Sequence, residues 1–232
     1  MNRTINHLRT LMSSSANATK DKIKEAFDSI AEYLKDYCVI KAKDEKYRIL
    51  DFEFYFFNQE HPDITTHPRN SEALCWYIND FGGIDLNFKS EIEPAAPFEK
   101  KGIKTYSYKY KLSKDSYFGG ILIRQIQRLS DEVVFDGPLK VAELFRTFNA
   151  NHQLEEIPIL IIDPESLKKI EFSTCQRHNL LGSHKKSEKK VSYNLQSCFE
   201  EVEESVKKEN LIKFLEESEG QPYRYCWNPK VK

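Results

Sequence analysis

The chain predicts an α+β fold: one domain in which a curved, mixed or antiparallel β-sheet is flanked by helices. Three observations lead there. Strand-like runs follow one another directly, and stretches long enough for parallel crossovers are scarce. The turn residues Asn79-Asp80-Phe81-Gly82-Gly83 separate two apolar runs, which marks a hairpin with a projecting tip. A length of 232 residues, with 15 Phe and 12 Tyr beside 8 Gly, is enough for one sizeable core.

Taken in order, residues 1–18 are polar, with Ser13-Ser14-Ser15, and read as a flexible N-terminal segment; residues 19–232 form the domain. From Lys20 to Lys35, the positions Ile23, Phe27, Ile30, Ala31 and Leu34 repeat at helical spacing and predict an amphipathic helix. Strands are expected at Cys38–Ala42, Tyr47–Phe57, Ala73–Asn79 and Ile84–Phe88. Glu91 to Gly102 contains prolines and reads as a loop. Ile103–Leu112 and the run after Gly119-Gly120 read as strands. Asp136-Gly137-Pro138 introduces a helix through Phe148, because proline at the first helical position gives up an amide that would have no partner anyway. Asp163-Pro164-Glu165-Ser166 starts a short helical turn in the same way, and Glu200–Glu217 predicts a charged helix with Val202, Val206, Leu211, Ile212 and Leu215 inward.

Composition excludes several classes. Thirty-five basic and thirty-six acidic residues leave a net charge of −1, so no global field attracts a polyanion and any nucleic-acid binding needs a local patch. The five cysteines, Cys38, Cys75, Cys175, Cys198 and Cys226, are scattered and never form a CxxC. With no signal sequence recognised, they imply reduced thiols and a cytoplasmic protein. The longest apolar run, near Ile157–Ile162, is too short for the ~20 residues a membrane span needs. No phosphate loop, dinucleotide fingerprint, HExxH or nucleophile elbow is present, and neither a metal nor a cofactor is expected.

The run Ile49-Leu50-Asp51-Phe52-Glu53-Phe54-Tyr55-Phe56-Phe57 carries the chemistry. A period of two places Asp51, Glu53 and Tyr55 on one face and Leu50, Phe52, Phe54 and Phe56 on the other. Two carboxylates in packed core would cost several kcal/mol or more, so their face lines a pocket or meets solvent at an edge. Arg124, in an Ile-Leu-Ile-Arg run, needs a carboxylate or an anionic ligand. Asn87, between Leu86 and Phe88, needs a hydrogen-bond partner if buried. Asp51, Glu53 and Asp85 together would suit Mg²⁺, but the aromatic surroundings favour a base pocket.

In order along the chain, these pieces resemble the alkyladenine (3-methyladenine) DNA glycosylase family. Ile49–Tyr55 is similar to that family's I-V-E-T-E-A-Y strand, Gly120–Arg124 to its V-L-L-R segment, and Gly137-Pro138-Leu139-Lys140 to its G-P-x-K-L helix start. Arg177 matches the arginine of its P-R-x-G segment, and Pro222-Tyr223-Arg224-Tyr225 resembles its terminal L-R-F-Y strand. The resemblance implies the formyltransferase C-terminal-like fold, a monomer, and a metal-independent hydrolase of base excision repair. It makes Glu53 the catalytic carboxylate that activates water. Tyr55, His67, Tyr77 and Asn87 become the base pocket, with Arg124, Arg177 and Arg224 as supporting or phosphate-binding groups. The expected partner is DNA with a damaged base, or a nucleoside-like small molecule.

Where that family drives a tyrosine into the DNA stack, this chain has Asp80, with Phe81 beside it as the candidate wedge. Lys104, Lys109 and Lys111, interleaved with Tyr106, Tyr108 and Tyr110, form a candidate nucleic-acid surface; the alternative is a solvated strand with its aromatics inward. The rival function is a non-catalytic binding protein that retains the fold.

Overall fold

The structure is a computed structural model describing residues 4–58, 60–63, 66, 69–79, 82–100, 103–111, 115–149, 157–177 and 221–227. For residues 17, 62, 93–100, 103–111 and 146–149 the description is limited to the backbone. His67, Phe81, Asp80 and the helix expected at Glu200–Glu217 lie outside the described residues.

Helix α1 spans Ile5–Ser14 and α2 Lys20–Tyr37; β1 is Cys38–Ala42, β2 Glu45–Asn58, β3 His61–Pro62, β4 Trp76–Ile78 and β5 Ile84–Asn87. Among the described residues, strands β6, Glu93–Lys100, and β7, Ile103–Lys111, pair only with each other. Then come β8, Phe118–Arg128, β9, Val134–Asp136, α3, Pro138–Asn149, β10, Ile159–Ile162, β11, Ser173–Cys175, and β12, Arg224–Cys226. The large sheet has ten strands, ordered β10-β1-β2-β8-β5-β4 along its main path, with β12 also on β2. Every strand pair among the described residues is antiparallel, so the mixed alternative is not what forms.

Strand β2 organises the sheet because both of its edges are used. One edge meets β8 from Tyr47↔Arg128 to Phe57↔Phe118. The other edge is divided: residues 45–48 pair with β1, 51–53 with β12 and 57–58 with β3. Gly119, opposite Phe56, permits the close approach of β8, since a Cβ there would lie 2.4 Å from the Tyr55 carbonyl oxygen.

One face of the sheet packs on α2. Phe27 of that helix stacks on Phe54 at 4.3 Å between ring centroids and meets Tyr223 edge-on at 5.0 Å. Phe52, Phe54, Phe56, Ile121, Ile123, Ile84 and Leu86 complete that layer, and α3 adds Val141, Ala142 and Phe145. The apolar stripe read from Lys20 onward is therefore the core contact.

Two expectations need correction. Of the segment read as flexible, residues 4–18 are not left outside the domain: Ile5–Ser14 is helical, Leu8 and Met12 are buried in the core, and Asn58 Nδ2 donates to the carbonyls of Ala16 and Ala18. The serines hid a Leu8/Met12 pair at helical spacing. The segment read as a loop at Glu91–Gly102 contains β6, whose register breaks between Pro94 and Pro97 and again before Glu99. Proline removes ladder donors, and both register breaks fall beside a proline.

Candidate functional site: a polar face around Glu53

Opposite the aromatic core, the sheet carries a layer of charges. Register aligns it: one cross-sheet row runs Arg224, Glu53, Leu122, Asp85, Tyr77, and the next runs Tyr55, Gly120, Asn87. Directly paired residues on antiparallel strands share a face, so these side chains are neighbours by construction.

Glu53 is fully buried at the centre. Tyr55 Oη donates to Glu53 Oε1 at 3.0 Å, and Arg124 Nη1 donates to Oε2 at 2.8 Å. Burial first, then the neighbouring Glu53, pushes the Tyr55 phenol well above its ordinary value, so the ring keeps its proton and remains the donor. Arg124 reaches Glu53 because the ladder slips twice there. An extra β2 residue falls between Ile49 and Asp51, and an extra β8 residue, Arg124 itself, between Ile123 and Gln125. Paired bulges of this kind re-aim a side chain without losing register beyond them. They also shift the alternation, so Tyr47 and Ile49 join Phe52, Phe54 and Phe56 in the core while Leu50, expected there, is buried outside that cluster.

Three further arginine–carboxylate pairs surround Glu53. Arg224 grips Asp51 with two nitrogens, Nε to Oδ1 at 3.0 Å and Nη2 to Oδ2 at 2.5 Å. Arg177 Nη1 donates to Asp63 Oδ2 at 2.5 Å, and both side chains are 1% exposed. Arg69 Nη1 donates to Asp85 Oδ2 at 2.6 Å and to Asn87 Oδ1 at 3.0 Å. Gly120 makes the last arrangement fit, since a Cβ there would stand 3.1 Å from Arg69 Nη1.

The residues read from sequence fall as follows. Glu53, Tyr55 and Arg124 come together. Tyr77 and Asn87 share their face but serve Arg69: its guanidinium lies 4.4 Å from the Tyr77 ring centroid, and Asn87 Nδ2 also donates to Ser71 Oγ at 2.8 Å. Arg177 and Arg224, read as supporting or phosphate-binding groups, each pair with a carboxylate, Asp63 and Asp51 respectively. Asp51 and Asp85, weighed with Glu53 as Mg²⁺ ligands, each bind an arginine, and among the described residues no three His, Cys, Asp or Glu side chains are placed to hold a metal. Lys104, Lys109 and Lys111 lie on β7 of the separate hairpin.

Sequence reading missed Arg69, Asp63 and His61. The partners of Arg69 stand 16 and 18 residues away in sequence. The available signal was Asp85 in Ile-Asp-Leu-Asn: a strand carboxylate between core residues demands a cation. His61 is buried, with Nδ1 2.8 Å from the Phe56 carbonyl oxygen and Nε2 3.0 Å from Tyr223 Oη. Nδ1 therefore carries the proton and donates, while Nε2 accepts from Tyr223.

Burial pushes the His61 imidazole below its ordinary value of 6.5, against the opposing pull of Asp63. The fold thus holds it neutral while the unfolded chain takes up a proton near that value, so its contribution is complete above about pH 6.5 and declines as pH falls. Urea unfolding from about pH 8 to pH 5 should show wild type losing more stability than His61→Asn over that interval. Equal losses would mean that His61 is not held neutral.

The described part of the chain is thus a single α+β domain with an antiparallel sheet and a charged inner face; among the described residues no helix is long and apolar enough to cross a membrane. No protein-family model matches the chain, and no solved structure does. It is similar to the uncharacterised protein L759 of Acanthamoeba polyphaga mimivirus, at 28% identity over 127 residues, 51% of this chain and 55% of that protein. The chain therefore spans little more than half the length of the curated relative it matches.

Proposed function

We propose that this protein is a divergent, metal-independent glycosylase that hydrolyses the N-glycosidic bond of alkylated or otherwise damaged purines, on a fold of the formyltransferase C-terminal-like kind. The observation that carries this reading is Glu53: a fully buried carboxylate at the centre of the sheet, facing away from the core and fixed by Tyr55 and Arg124. Water is the second reactant of that hydrolysis. Glu53 would take that water's proton and, by its charge, favour the oxocarbenium-like transition state on the sugar. Arg124 and Tyr55 would hold the carboxylate in one orientation. A damaged purine is a good leaving group, and its glycosidic bond is reachable only once the nucleotide leaves the duplex. The test is release of free base from alkylated duplex and single-stranded DNA, at low salt and without metal. Release by wild type supports the reading, and its absence for every alkylated or deaminated purine tried overturns it.

One observation favours the second reading, a non-catalytic nucleic-acid or small-ligand-binding protein. Tyr77 and Asn87, the groups assigned to the base, already hold Arg69. Where DNA is the ligand, the candidate surface in either reading is the β7 strip. Replacing Lys104, Lys109 and Lys111 together with alanine should weaken DNA binding without sequence preference. It should also flatten the salt dependence by about one unit of slope per lost phosphate contact. Unchanged binding would remove β7 from the interface.

A further inference from the structure

Cys175 and Cys226 are 51 positions apart in sequence, yet their sulfurs lie 3.2 Å apart. The β11–β12 ladder sets Cys175 opposite Arg224 and Ser173 opposite Cys226, so the two cysteines are diagonal neighbours on one face. Both are partly exposed and both are free thiols. A disulfide needs sulfurs about 2.05 Å apart, so they must close by only about 1.2 Å. Beside them the strand is held by charge, since Arg224, opposite Cys175 and two residues before Cys226, grips Asp51 of β2.

We propose that Cys175 and Cys226 form a reversible redox latch: a disulfide made by exchange with a small disulfide such as oxidised glutathione, tying β11 to β12 beside the Asp51–Arg224 pair. One cysteine, as thiolate, attacks the glutathione disulfide and releases the first glutathione. The second thiolate then attacks the protein sulfur of that mixed disulfide and releases the other. The two cysteines lose two protons and two electrons in all, and both appear in the two molecules of reduced glutathione. Burial, and Cys226 after it, pushes the Cys175 thiol up to about 12, so the thiolate is scarce at neutral pH and the latch closes slowly. Once closed, it rings residues 176–225 into one loop and removes that loop's freedom from the unfolded chain. The latch does not depend on whether Glu53 is catalytic.

The full chain, incubated with oxidised glutathione and then digested, should yield a Cys175–Cys226 cross-linked peptide. Dithiothreitol should reverse the link, and the oxidised protein should melt roughly 5–15 °C higher than the reduced one. Cys175→Ser and Cys226→Ser should each abolish the cross-link and the shift. A second readout needs no variant: in the oxidised wild type, Cys175 and Cys226 should resist alkylation while exposed Cys75 reacts. Stable glutathione adducts on Cys175 or Cys226 with no internal bond, or a disulfide joining other cysteines, would overturn the proposal.

Discussion

Replacing Arg177 with methionine should destabilise the protein by about 3–5 kcal/mol, because it strips a buried carboxylate of its cation. Asp63 and Arg177 are both 1% exposed, so solvent does not replace the lost contact. The guanidinium also donates to the Phe54 carbonyl at 3.4 Å and lies 5.2 Å from the Tyr55 ring centroid and 5.6 Å from that of Tyr223. It therefore joins the segment after β11 to β2, to the residue preceding β12, and to the stretch following β3. Urea unfolding measures the loss directly. The double variant Asp63→Asn with Arg177→Met should lose less than the sum of the single losses, since removing the carboxylate removes the charge left behind. A single variant within about 1 kcal/mol of wild type would show that this pair contributes little to the fold.

That arginine illustrates what could be read from sequence and what could not. The alternation of β2 is local: each residue's face follows from its neighbours, so the separation of Asp51, Glu53 and Tyr55 from the phenylalanines is visible in nine consecutive letters. Helix α2, strand β1 and the Pro138 helix start are legible for the same reason. The paired bulges are not local, because an extra residue on β2 has meaning only against β8, which begins sixty residues or more beyond it. They decide that Arg124 meets Glu53 and that Leu50 leaves the main cluster. Each arginine shows in sequence only as a cation needing an anion. Which carboxylate answers it depends on strand order, and β12 reaches Asp51 only because β1 leaves the middle of that edge of β2 free.

The same topology bears on the proposed chemistry. Buried ion pairs recover little of their desolvation cost, so four around one sheet face are a poor way to gain stability. They do fix orientation, and perturbed titratable groups gather where a protein needs a charge held in place. Tyr55 is kept protonated beside Glu53, and Arg124 is re-aimed onto its other oxygen. The proposal that Glu53 is the working group starts from that fixed orientation. The Arg69 cluster is the counterweight, since it engages Tyr77 and Asn87, the residues that the proposal assigns to the base.

Glu53→Gln separates these readings. The amide matches the carboxylate in volume; its oxygen can accept from Arg124, and its NH₂ can donate to Tyr55 Oη once that hydroxyl turns. The fold should persist with a loss of about 1–3 kcal/mol, the usual cost of replacing a charge-assisted hydrogen bond by a weaker one. DNA binding should hold or strengthen, because an anion has been removed from the polar face. Base release should nevertheless fall by about 10²–10⁴-fold, since the amide can neither take the water's proton nor offset positive charge developing on the sugar. Equal rates for wild type and Glu53→Gln, with release by both, would remove Glu53 from the mechanism. No release by either, with DNA binding intact, would favour the non-catalytic reading, in which the carboxylates of the sheet face serve only to position its arginines.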